Sequence, residues 1–276
     1  MIQSEWGDWL PTRVATADPD GLTGWYLGCN GFILKASDGT TIFIDPYLGT
    51  GDPPRTVRMI PVPFEPDDVE AADAILGTHE HTDHVHGPSQ APILAGTGGR
   101  LYAPAASIAV TEAESWTDEW DVTDDQLRTV APGDEITIGE VTVNVRDAHD
   151  PDAEEPVSYV IEHDSGVIFH AGDSKPASTF TDVGTEFDVD VAIVATGTVG
   201  NLADPATGDR TPTKWYASPD EAVEIATDLQ ADRLLPSHWD MWKGFGADPT
   251  ALHAHAASFP YPNHLEIVEI GDRFDV

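Results

Sequence analysis

The segment His79-Glu80-His81-Thr82-Asp83-His84 brings three imidazoles and an aspartate into six residues. Imidazole nitrogens and carboxylate oxygens are the usual protein ligands of divalent transition metals. The apolar run Ala74-Ile75-Leu76, close before it, reads as a short buried strand entering a turn. A turn can aim several side chains at one point. His79 and His81 alternate and could share one ion, while Asp83 and His84 point elsewhere and could hold a second. The competing reading, a polar surface turn with incidental histidines, leaves the spacing and the preceding strand unexplained.

An HxHxDH pattern after a strand resembles the metallo-β-lactamase superfamily of metal-dependent hydrolases. The resemblance implies an α+β fold, the four-layer αββα sandwich: two facing sheets, helices outside, metals at one edge. It also implies further ligands in chain order. His149, in Arg146-Asp147-Ala148-His149-Asp150, ends an expected strand where a third ligand of the first metal should stand. Asp173, in Ala171-Gly172-Asp173-Ser174, resembles the superfamily's GD motif and would bridge both metals; the glycine permits close backbone approach. His238, closing Arg233-Leu234-Leu235-Pro236-Ser237-His238, takes the place of the last ligand of the second metal. The implied set is His79, His81 and His149 on metal one, Asp83, His84 and His238 on metal two, and Asp173 between them. Asp45, before Pro46, matches a carboxylate that braces the site from behind; a plain Asp-Pro turn is the alternative. His86, His170, His253, His255 and His264 fall outside this order and read as structural or as site wall, and His163 reads as exposed.

The cofactors so implied are two divalent metal ions, manganese or zinc, with iron a further option. Metal binding lowers the pKa of water to about 7. The resulting bridging hydroxide would attack an ester, lactone or phosphoester centre, with Asp83 and Asp173 as the catalytic carboxylates. No G-x-S-x-G elbow supports a covalent serine route. His81 stands where flavodiiron-type oxidoreductases would carry glutamate, which disfavours redox chemistry. Longer stretches, LLPSHWDMWKGFGADPTAL, IDPYLGTG, RMIPVPFEP, AADAILGTHEHTDH and FHAGDS, resemble the L-ascorbate-6-phosphate lactonase-like branch. That branch implies manganese and a sugar-acid lactone phosphate as substrate. Its lactonases are longer, and their third-ligand position need not be histidine. The leading reading is a hydrolase of a small-molecule lactone or ester. A phosphodiesterase or nuclease is second, and a non-catalytic metal-binding scaffold third.

The positioning elements follow from the pattern. Gly31 to Lys35 and Thr41 to Asp45 read as strands about an Asp38-Gly39 turn. Residues 49–66 are rich in Pro and Gly and read as a loop carrying Arg55 and Arg58. A helix is expected over Pro104 to Trp116, and strands over Glu135 to Ile138 and Val141 to Val145. A hairpin, Val157 to Glu162 and Val167 to His170, delivers Asp173, and Val191 to Ala195 is a buried strand. A loop is expected over 196–217. Ser218-Pro219-Asp220-Glu221 is a capping box opening a helix to about Ala231. A last helix from Asp248-Pro249 and a closing strand, His264 to Ile270, finish the chain. Trp6 and Trp9 are the expected anchors of a polar N-terminus.

Composition bounds the rest. The 276 residues, 40% of them apolar and without a linker-like tract, suit one domain over 1–276. No apolar stretch approaches the roughly 18 residues of a membrane span, and the N-terminus lacks signal-peptide features. The single cysteine, Cys29, reads as a small buried apolar residue. Only 13 Lys and Arg stand against 49 Asp and Glu, a net charge of -36 spread along the chain. This argues against nucleic acid, whose phosphates need clustered basic residues. It suggests a halophile's salt-rich cytoplasm, where screening relieves self-repulsion. The substrate is then a small molecule, with Arg55, Arg58, Lys175 and Lys214 as candidate contacts for an anionic group. No membrane partner is expected, and a homo-oligomer stays open.

Overall fold

The computed structural model describes residues 2–204 and 206–276. Two seven-stranded sheets organise it. In the first, the strand order is Arg273–Asp275, Thr23–Gly28, Gly31–Lys35, Thr41–Ile44, Ala74–Leu76, Arg100–Ala103, Leu127–Thr129. Neighbours are antiparallel up to Thr41–Ile44 and parallel beyond it. In the second, the order is His264–Leu265, Arg233–Ser237, Val191–Ala195, Gly166–His170, Val157–His163, Val141–Asp147, Glu135–Ile138. Here the first four strands are parallel and the rest antiparallel.

Side-chain alternation builds the layers. Ile42 and Ile44 join a core between the sheets with Tyr26, Phe32, Val143, Val145, Tyr159 and Ile193. Phe43, on the other face of the same strand, packs with Trp25, Ile33 and Ile75 against Leu10, Val14, Leu94 and Trp116 from helices. On the far side, Phe169, Ala192, Val194 and Leu234 meet Phe180, Val183, Val223, Ile225 and Ala226. Strands covered on both faces are apolar throughout, as Val191–Ala195 is. The result is the expected αββα arrangement.

Several elements differ from the sequence reading. A strand at Thr23–Gly28 and helices at Trp9–Ala15, Gly87–Thr97 and Thr179–Glu186 were not anticipated. The first two of those helices carry prolines, and the third is short and mostly polar, which obscures their apolar stripes. The 196–217 segment contains a small hairpin, Gly200–Ala203 with Arg210–Thr213. Of the expected closing strand only His264–Leu265 pairs; the chain is closed by Arg273–Asp275, on the opposite sheet. Trp6 and Trp9 are exposed, stacking edge-to-face on each other, and do not anchor the terminus in the core. The capping box at Ser218 and Glu221 forms as expected.

Strand direction decides where the site lies. Thr23–Gly28, Thr41–Ile44 and Ala74–Leu76 run one way in the first sheet. Val141–Asp147, Gly166–His170 and Arg233–Ser237 share a direction in the second. The turns just past these strands carry Cys29, Asp45, the 79–84 segment, Asp150, Asp173 and His238. The sheets are stitched there: Val157 N donates to Thr78 O at 2.9 Å, and His238 N to Cys29 O at 2.7 Å. The buried Tyr159 hydroxyl donates to Gly77 O at 2.7 Å, two residues before His79. Removing that donor leaves a buried carbonyl short of a partner, which costs about 1–3 kcal/mol. Tyr159→Phe is therefore expected to lose about that much stability in urea unfolding; an unchanged midpoint would contradict the role given to this bond.

Candidate metal centre

Ligand-type atoms converge from both sheets. His79 Nε2 lies 3.0 Å from His81 Nδ1. Asp150 Oδ2 lies 3.6 Å from the first and 3.7 Å from the second. Beside them, His238 Nε2 is 3.2 Å from Asp83 Oδ2 and 3.3 Å from Cys29 Sγ. Asp173 Oδ2 stands between, 3.2 Å from His84 Nε2 and 3.7 Å from His238 Nε2. A tetrahedral ion with bonds of about 2.0–2.3 Å holds its ligand atoms roughly 3.3–3.6 Å apart. The donors close enough to share an ion form three overlapping groups, His79 with His81 and Asp150, His79 with His84 and Asp173, and Asp83 with His238 and Cys29, and their separations fit divalent ions.

His149, expected as the third ligand of the first metal, does not point there. It is exposed, while its main chain is pinned by Ser174 Oγ, which accepts from His149 N, and by Lys175 N, which donates to His149 O. The preceding strand runs to Asp147, two residues beyond the expected end, and the next residue to turn inward is Asp150. The other six expected ligands, His79, His81, Asp83, His84, Asp173 and His238, come together.

Groups behind the ligands hold their orientation. Asp45 is fully buried; its Oδ1 accepts from Thr78 N at 2.9 Å, and its Oδ2 accepts from Thr78 Oγ1 at 2.7 Å. The same Oδ2 lies 2.7 Å from His84 Nδ1, and Thr78 Oγ1 lies 3.0 Å from His79 Nδ1. Both rings are thereby turned to present Nε2 to the centre, as outer partners of metal-binding histidines do. Asp45 thus sits where a brace belongs. Two further supports were not legible in sequence. Asn30 Nδ2 donates to Asp173 Oδ1 at 3.2 Å and is itself fixed by Ser237 Oγ, which donates to Asn30 Oδ1 at 2.6 Å. Trp242 Nε1 donates to Asp83 Oδ2 at 3.1 Å. His170 is packed against Asn30 and is no ligand. Gly172 has φ +60, and a Cβ there would sit 3.3 Å from Thr78. Asp45, Cys29 and His238 also have positive φ, 42°, 60° and 62°. Such backbone costs about 1–3 kcal/mol at each residue and gathers at functional sites.

Electrostatics follow from crowding. Burial, then the charge of Asp173, pushes the Asp150 carboxyl up to about 6. Burial also pushes Asp173 and Asp83 up, but the facing imidazoles, His84 foremost, outweigh it and hold both below the usual carboxylate range. Burial pulls His84 down, yet Asp173, Asp45 and Asp83 together hold it well above the ordinary histidine value. His79 is held well below that value by burial and by His84. With protein groups alone, the imidazoles around Asp83 and Asp173, His84 foremost, supply the countercharge. A dication would replace that countercharge.

The centre opens into a cavity of about 700 Å³ walled by Tyr47, Trp215, Tyr216 and Trp242. Of the four expected substrate contacts, Arg55 alone lines it. Arg58 is spent on the carbonyls of Tyr47, Gly49, Ile60 and Pro61. Lys214 pairs with Glu221 at the capping box, and Lys175 Nζ faces Asp150 Oδ1 at 3.9 Å. These three cations serve the fold or the ligand shell and do not face a substrate. His86 lines the wall, with Nδ1 2.6 Å from Ser89 Oγ.

The sequence profile described as Beta-lactamase superfamily domain matches residues 40–239. A probable L-ascorbate-6-phosphate lactonase of Salmonella gallinarum is 25% identical, over 90% of this chain and 78% of its own. Among solved structures, Igni18, a metallo hydrolase of Ignicoccus hospitalis, superposes with a TM-score of 0.68 at 16% identity, covering 92% of this chain and 99% of its own. The metallo-beta-lactamase fold protein YhfI of Bacillus subtilis gives 0.63 at 19% identity, covering 93% and 100%.

The placement of Asp150 can be tested against that of His149. Asp150→Ala should lose one equivalent of metal after dialysis, read by elemental mass spectrometry, and His149→Ala should lose none. The opposite pattern would return the third-ligand role to His149.

Proposed function

The chain belongs to the beta-lactamase superfamily domain family, and from that premise we propose that it is a metal-dependent hydrolase, one domain over residues 1–276, that opens a small-molecule lactone or ester. The observation that carries this reading is the convergence of two ligand sets on one cavity floor with Asp173 between them. Two divalent ions, when bound, would supply a water deprotonated near neutral pH and an electrophile for the substrate oxygen.

The chain's own groups account for the rest. Asn30 occupies Asp173 Oδ1, so that carboxylate keeps Oδ2 toward His84 and His238, where it would hold metal. Trp242 fixes Asp83 Oδ2, which sets where that carboxylate can accept a proton. Asp45 and Thr78 hold two imidazoles in one tautomer, so that neither ring turns during turnover. The aromatic walls exclude water from a bound substrate. Arg55, exposed at the cavity, offers a guanidinium to an anionic substituent, which it can meet with two parallel hydrogen bonds. The name of the Salmonella relative supports a lactone as the bond and a phosphate as that substituent.

A panel of lactones, carboxylic esters and phosphodiesters on metal-loaded protein tests this. Lactone turnover is expected, with loss of both activity and metal in Asp173→Ala. Cleavage of phosphodiesters alone would move the assignment to a phosphodiesterase, and full activity with full metal in the variant would remove Asp173 from the bridge.

We also propose that the protein works in a salt-rich cytoplasm. A net charge of -36 makes folded and soluble states depend on screening. The Debye length falls from about 10 Å at 0.1 M to about 3 Å at 1 M salt. The thermal midpoint should rise from millimolar to molar KCl; equal midpoints would contradict the proposal.

A further inference from the structure

Cys29, expected to be a small buried apolar residue, is packed among Tyr47, Ala195, Tyr216, Met241 and Trp242, and its sulfur has polar neighbours as well. It is fully buried at the turn between Thr23–Gly28 and Gly31–Lys35. Its Sγ lies 3.3 Å from His238 Nε2 and 3.9 Å from Asp83 Oδ2. The third edge of that triangle, His238 Nε2 to Asp83 Oδ2, is 3.2 Å. A zinc ion bonded to sulfur at about 2.3 Å and to nitrogen and oxygen at about 2.0–2.2 Å spaces such atoms roughly 3.3–3.6 Å apart. The observed edges bracket that range, so one ion can touch all three with sub-ångström adjustments.

The partners are independently anchored. Asp83 is fixed by Trp242 and His238 by the stacked Tyr216 ring at 4.0 Å. The His238 main chain is tied to Cys29 itself, His238 N donating to Cys29 O. Cys29 O also accepts from the Tyr26 hydroxyl at 3.0 Å. Sulfur, imidazole and carboxylate therefore arrive from three strand ends on two sheets, and each is held by something other than the triangle.

We propose that Cys29 Sγ is a direct ligand of the ion held by Asp83 and His238, making that position a Cys-Asp-His site, and that it biases that position toward zinc over manganese. The proposal rests on the two-ion reading above and deepens it. On binding, the S–H bond breaks, its proton leaves to solvent, and the sulfur electron pair forms the metal bond. The chemistry of selection is ligand softness: thiolate suits zinc, whereas manganese prefers oxygen. The neighbouring position, with His79, His81 and Asp150, has no sulfur within its triangle. The two positions should then differ in metal preference within one chain.

X-ray absorption on the zinc-loaded full chain reads this directly. Two zinc ions per chain with a sulfur scatterer at about 2.3 Å, averaging half a sulfur per ion, are expected. The cobalt-substituted protein should show a thiolate-to-cobalt charge-transfer band in the near ultraviolet. In Cys29→Ser the sulfur scatterer and the band should both vanish, the ion at His79, His81 and Asp150 should remain, and competition at the other position should shift toward manganese. Two ions with only nitrogen and oxygen scatterers in the wild-type chain would overturn the thiolate ligand while leaving the two-ion reading intact. Fewer than two ions would overturn both. The wild-type measurements do not depend on the variant folding.

Discussion

Four carboxylates, Asp45, Asp83, Asp150 and Asp173, are gathered at one edge of the two sheets, and the rest of the site answers the cost of placing them there. A buried ion without compensation is expensive, so it is paired, hydrogen-bonded or neutralised. Asp45 is satisfied by Thr78 and His84. The other three face imidazoles, yet burial and His84 hold His79 well below the ordinary histidine range. Lys175 reaches only to 3.9 Å of Asp150. Divalent cations would satisfy this arrangement with little rearrangement, because the lone pairs already converge.

That demand explains the fold's use of strand ends. Each candidate ligand sits where a strand of common direction gives way to a turn, which lets short side chains from two sheets meet. Left-handed backbone at Cys29, Asp45 and His238 is the local strain that such convergence requires. The hydrogen bonds from Val157, His238 and Tyr159 close the gap between sheets at the same edge.

Much of this was legible in the chain, for identifiable reasons. The HxHxDH turn, Asp173 and His238 each follow an apolar run, so motif and local pattern agree. His149 misled because a strand two residues longer than its apolar core changes which loop side chain faces inward, and Asp150 is one acid among 49. Cys29 and Asn30 were invisible because their partners lie 54, 143 and 209 positions away. Arg58 and Lys214 drew notice by scarcity of positive charge, and the structure spends them on carbonyls and a helix cap. The helices at Gly87–Thr97 and Thr179–Glu186 escaped because glycine, proline and short length blur a 3.6-residue period. Scarcity of cations also shapes access. Arg55 shares the cavity lining with Asp52 and Asp152, so its charge is set among acids, and salt screens the acidic surface around it.

The most direct test of a two-ion centre is anomalous diffraction from crystals of the metal-loaded protein. The account predicts two peaks about 3.5–4 Å apart, one among His79, His81 and Asp150, the other among Asp83, His84 and His238, with Asp173 touching both. A single peak, or two peaks that leave Asp173 outside both coordination spheres, would contradict it.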